Sequence, residues 1–87
     1  MEISATWRPY LGPTDIPRSS LPDSSFAFPH ERAEPLTNAA HVRSAIARFS
    51  QVRNVTDSER DVAFRNIKAA GDYFGVRISA TDWHDMI

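Results

Sequence analysis

All six prolines of this chain, Pro9, Pro13, Pro17, Pro22, Pro29 and Pro35, fall within its first 35 residues. Proline fixes φ, lacks an amide donor and drives the preceding residue out of helical conformation. One at every fourth to seventh position forbids a lasting helix in this segment. Beyond Gly12 the only glycines are Gly71 and Gly75, so the chain changes character near residue 37 and is free to be helical from there on. The proline-rich segment is nevertheless no solvated linker. It carries Trp7, Tyr10, Leu11, Ile16, Leu21, Phe26 and Phe28, apolar groups that disordered segments lack.

The first helical pattern follows Pro35-Leu36. Thr37 or Asn38 serves as N-cap, and Val42, Ala45, Ile46 and Phe49 recur on one face, which predicts a helix over about 38–51. Thr56-Asp57-Ser58-Glu59 has the spacing of a capping box and opens a second helix over about 57–74. Its apolar face is Ala63, Ile67, Ala70 and Phe74, and Gly75 supplies a left-handed stop. Val52 to Val55 only reverses the chain. Ser79 to Asp82 repeats a capping spacing, so Trp83 and its neighbours are expected in a short helical turn over about 80–86. The fold expected is mainly α: an antiparallel helical hairpin with a C-terminal helical turn and an extended proline-rich arm packed on it. Within it, 1–20 is a flexible N-terminal arm, and 21–87 is one small helical domain that includes a docked extended segment, 21–36.

With no cysteine, disulfide scaffolds and thiolate metal sites are excluded. No apolar run approaches the roughly 20 residues that cross a bilayer, and no signal-peptide pattern is present. The cytoplasm is the expected compartment. A formal net charge of −1 favours neither a polyanion ligand nor a polyanion mimic. Nine of the ten basic residues are arginine, a side chain suited to forked contacts with carboxylate or phosphate.

The run Leu21-Pro22-Asp23-Ser24-Ser25-Phe26-Ala27-Phe28-Pro29, with Arg32 and Pro35-Leu36, and the run His41-Val42-Arg43-Ser44-Ala45-Ile46-Ala47-Arg48-Phe49, resemble a small domain of unknown function found in bacterial and bacteriophage proteins. In phages that domain accompanies proteins of head maturation and capsid assembly. The resemblance spans about 21–84 and implies a context, including a virion location, without an activity; Ser44 stands where that family usually has Asn. The two motifs are physically compatible. Phe26 and Phe28 project to one side of an extended segment, and each ring buries on the order of 2 kcal/mol of apolar surface against the stripe of the following helix.

Candidate chemistry is sparse. His30, His41 and His84 are the neutral-pH acid/base groups. His84 between Asp82 and Asp85 has no recognised ligand spacing, so no metal or cofactor is expected. His41 flanks the apolar stripe and is expected to be structural, together with Phe26, Phe28, Val42, Ile46, Phe49, Ile67 and Phe74. No nucleophile elbow or glycine-rich phosphate loop is present, and no enzymatic function is expected. Arg43, Arg48 and Arg53 advance by about 140° per step on a helix and do not form one stripe. The expected function is a non-enzymatic protein-interaction or assembly module. Its candidate partner-binding residues are Trp7, Tyr10, Arg43, Arg48 and Trp83, and its partner is a capsid or assembly component or a second copy. The alternative is a nucleic-acid-binding accessory domain using Arg43, Arg48 and Arg53.

Overall fold

In the computed structural model, which describes residues 4–87, the longer helix begins where Thr56 caps it. The Thr56 hydroxyl accepts from the Glu59 amide at 3.1 Å, and Glu59 Oε1 accepts from the Thr56 amide at 2.9 Å. This reciprocal capping box starts α2, Asp57–Phe74, with Asp57 and Glu59 at the positive end of its dipole. Gly75 ends it at φ 74°. The last turn survives Gly71 because the Gly71 carbonyl accepts from both the Gly75 and Val76 amides. The shorter helix α1, Ala39–Arg48, is capped by Asn38, whose side chain accepts from the His41 amide. It tightens into a 3₁₀ turn at Phe49–Gln51. Trp83–Met86 forms a final 3₁₀ turn, and Asp82 caps it.

The proline-rich third overturns the expected architecture. Instead of an extended arm laid on a helical hairpin, Phe26–Phe28 (β1) and Ala33–Pro35 (β2) pair as a two-stranded antiparallel sheet, with Phe26 opposite Pro35 and Phe28 opposite Ala33. The fold is therefore an α+β mixture, with β1 packed on α2, β2 on α1, and α1 on α2. The physical reason lies in the backbone. Residues 25–28 are all buried, and buried amides and carbonyls require partners. The second strand supplies them, and the Leu36 amide extends the ladder by donating to Ser25 O at 2.8 Å. Pro35 is tolerated because it ends an edge strand, where a missing donor costs little. The turn needs left-handed backbone, taken by Arg32 at φ 53°, and Glu34 is also left-handed at φ 58°.

The core draws on the whole described chain: Trp7, Ala27, Phe28, Leu36, Val42, Ala45, Phe49, Ala63, Ile67 and Ala70. Phe28 meets Phe49 edge to face, ring centres 5.7 Å apart. The arm assigned to 1–20 begins in residues outside the described range. Its described part reaches the core: Trp7 is 5% exposed, donates from Nε1 to Leu36 O at 3.1 Å, and lies edge-on to Phe74. Buried Asn66 holds it there. Its Oδ1 accepts from the amides of Thr6 (2.7 Å) and Trp7 (2.8 Å), and its Nδ2 donates to Ala27 O (2.8 Å). One side chain of α2 thus ties the N-terminal segment to β1. After α2 the chain is irregular, and Val76 and Ile78 pack on the core. No described helix is long and apolar enough to cross a membrane.

Candidate functional site

Prolines keep residues 9–17 irregular, and this segment stands off from α1 instead of covering it. Between them lies a cavity of about 380 Å³, walled by Tyr10, Pro13, Thr14 and Ile16 on one side, by Thr37, Asn38 and His41 on the other, with Leu21, Pro35 and Arg18 completing it. The Tyr10 hydroxyl donates to Pro13 O at 2.8 Å, which curls the segment back on itself. Gly12 permits that curl, since a Cβ there would lie 2.5 Å from the Tyr10 hydroxyl oxygen. Leu11 beside it is 83% exposed.

The far wall is the start of α1. Helix N-termini carry partial positive charge from unsatisfied amides, and the first turn of α1 contains no acidic residue to offset it. Among the described residues that line the cavity none is acidic, while Arg18 and His41 both face it. The cavity therefore combines apolar walls with a positive field and, among the described residues, no carboxylate.

Its floor is fixed by the motif residues of 21–32. The Arg32 guanidinium donates to Leu21 O at 2.7 Å, to Arg18 O at 3.2 Å and to the Asp23 carboxylate. Arg18 donates to Arg32 O at 2.7 Å. Both guanidiniums lie over the Phe26 ring, at 4.6 Å for Arg32 and 5.5 Å for Arg18, a favourable cation–π geometry. Phe26 is fully buried under this lid and stands apart from the main apolar cluster. The Leu-Pro-Asp run and Arg32 are thus one clamp that holds the cavity wall.

The other residues singled out from sequence are dispersed. Trp7 is core. Trp83 is half-buried, stacked on His84 with ring centres 3.7 Å apart, and approached by the Arg60 guanidinium at 5.7 Å. Arg43, Arg48 and Arg53 are exposed, spread around α1 and the loop after it. Phe28, Val42, Phe49 and Ile67 are buried, whereas Ile46 and Phe74 are half-buried beside them. His41 is exposed at the cavity rim. Of the named partner-binding residues, only Tyr10 lines the cavity, and His41 joins it there.

A second grouping escaped the sequence reading. The β1–β2 turn carries His30 and Glu31 to the start of α2, where Glu59 stands. Their ligand-capable atoms all lie within 4.8 Å of one another. His30 Nδ1–H donates to Glu31 Oε2 at 2.9 Å and lies 3.6 Å from Glu59 Oε2. The Glu31 hydrogen bond, and then the charges of Glu31 and Glu59, hold the imidazolium above its ordinary pKa. Glu59 is held below the usual carboxylate range, first by its contact with the Glu31 carboxyl and then by the hydrogen bond from the Thr56 amide. No local spacing could have revealed this group, because Glu59 is placed by a helix start and His30 by a turn.

Comparison with known proteins returns one family model, described as a family of unknown function (DUF6582), which matches residues 6–81. No curated protein and no solved structure matches the chain.

Proposed function

The chain belongs to this family of unknown function, and on that footing we propose that it is a non-enzymatic interaction module whose cavity beside α1 takes an acidic, partly apolar segment of a partner protein. The observation that carries the reading is a cavity of about 380 Å³ with no acidic side chain among its described lining residues, set against a helix start with no acidic residue in its first turn. A carboxylate entering it meets the α1 dipole and Arg18, while flanking apolar side chains meet Tyr10, Ile16 and Leu21. Aromatic residues at such edges are the usual anchors of protein interfaces. The resemblance of the 21–29 and 41–49 motifs to a phage-associated domain favours an assembly component, such as a capsid protein, as that partner.

The test is a titration of short fluorescent peptides, acidic, neutral and basic, into the full chain. Acidic peptides are expected to bind preferentially, and Tyr10→Ala and His41→Glu are each expected to weaken them by about tenfold, close to 1.4 kcal/mol. Equal binding of all three classes, or indifference to both substitutions, contradicts the reading. Salt-sensitive binding of DNA or RNA that disappears when Arg43 and Arg48 are replaced would put the nucleic-acid function in its place.

A further inference from the structure

The His30, Glu31 and Glu59 grouping lies away from the cavity beside α1, and the interaction reading makes no use of it. We propose that these three side chains form a binding site for a divalent cation of the zinc class, which staples the β1–β2 turn to the start of α2.

Geometry supplies the ligands. One nitrogen and two carboxylate oxygens converge within 4.8 Å of one another, with His30 Nδ1 at 2.9 Å from Glu31 and 3.6 Å from Glu59; a small side-chain adjustment brings all three to the roughly 3.4 Å spacing of ligands bonded at about 2.0–2.2 Å to one tetrahedral cation. Glu59 is already oriented for the task. Its Oε1 is held by the Thr56 amide at 2.9 Å, which leaves Oε2 turned toward His30. Such an outer hydrogen bond is what fixes ligating carboxylates in metal sites.

Glu31 provides a separate observation. Its Oε2 accepts from His30, but its Oε1 is buried and has no hydrogen-bond partner among the described residues. A buried carboxylate oxygen without a donor is disfavoured, and here it sits beside a second carboxylate. The two acids are like charges held close together, which only the single charge of the His30 imidazolium offsets among the described residues. A dication answers both needs, since it neutralises the pair and draws on the idle lone pairs of Glu31.

The donor set selects the metal. Imidazole with carboxylate suits zinc and its first-row neighbours, whereas calcium and magnesium favour all-oxygen cages. An adjoining cavity of about 210 Å³, lined in part by Phe28, Pro29 and Val62, gives the site one apolar side. The exposed His30 ring leaves the opposite side open to water as a further ligand. On binding, the cation takes the place of the Nδ1 proton between His30 and Glu31, and that proton passes to solvent.

The test is calorimetric titration of zinc chloride into the full chain after chelator treatment, with thermal melting in parallel. One equivalent is expected to bind and to raise Tm. His30→Ala and Glu59→Gln are each expected to weaken binding by roughly tenfold or more, the loss that even outer hydrogen-bond partners of a metal produce. Gln at the third helical position preserves the capping box, so Glu59→Gln keeps the fold while removing the ligand. His84→Ala, which alters the exposed His84–Asp82 pair elsewhere on the surface, is expected to leave the affinity unchanged. Absence of one-to-one binding overturns the proposal, as does binding that survives both His30→Ala and Glu59→Gln or that is lost in His84→Ala.

Discussion

Asn66 does more for this fold than its place on a helix suggests. A lone asparagine in the middle of an amphipathic helix reads as a surface residue, yet it is fully buried and meets three backbone groups from two other segments. Asn66→Ala would leave the Thr6 and Trp7 amides and the Ala27 carbonyl without partners. Each such orphan costs about 1–3 kcal/mol, so with partial relaxation the loss is expected near 3 kcal/mol by urea denaturation; a loss below 1 kcal/mol would show that water replaces the side chain. Gly71 makes a different demand. A Cβ there would sit 2.8 Å from Ile78 Cδ1 and 2.9 Å from the Val76 carbonyl oxygen. The side chain can yield, but the backbone cannot. Gly71→Ala is therefore expected to cost about 1–3 kcal/mol, as overpacking does, although alanine ordinarily stabilises a helix. A stabilised variant would refute the close approach. Sequence alone does not mark this demand on Gly71, because the segment that presses on it returns from residues 76–78.

Among the elements, legibility followed local chemistry. The bounds of α2 were readable because Thr56, Glu59 and Gly75 act within a few residues of the ends they define. Thr56→Ala is expected to remove about 1 kcal/mol, checked by thermal or urea melting, with no change in the strands. The β-hairpin was hidden for equally physical reasons. Phe26–Phe28 is buried on both faces, so no alternation marks it, Pro35 argues against a strand, and the turn has no glycine. Its left-handed positions are filled by Arg32 and Glu34, at roughly 1–2 kcal/mol each. The Arg32 clamp over Phe26 is what offsets the first of these. The convergence of Tyr10 with His41, and of His30 with Glu59, also lay beyond the reach of sequence, since each pair joins distant elements.

The terminal 3₁₀ turn, read from sequence as a helical turn, rests on Asp85, whose carboxylate accepts from the amide and hydroxyl of Thr81 at 3.0 and 2.9 Å. These bonds, the amide first, hold its pKa below the ordinary 3.8. A lowered folded value means that this stabilisation is present above the unfolded value and is lost as pH falls through the folded one. The Thr81 amide resonance is thus expected to shift below about pH 4. Asp85→Ala should abolish that step, and its persistence would assign the titration elsewhere.

At the scale of the molecule, the described chain has a radius of gyration of 12.0 Å, close to the roughly 12 Å of a compact globule of this length. Two helices alone do not enclose such a core. Chains of this size bury only about 60–65% of their unfolded surface, so Trp7, Phe28 and Leu36 are a large share of what is covered. The proline-rich third is accordingly part of the folding unit, joined through Asn66 across 60 positions of sequence. Native-state hydrogen exchange tests this most directly. The Trp7 and Leu36 amides, donating to Asn66 Oδ1 and Ser25 O, are predicted to exchange only through global unfolding, at the rates of the buried amides of α2 around Ile67. Rapid exchange at Trp7 and Leu36 while the α2 amides stay protected would contradict the account.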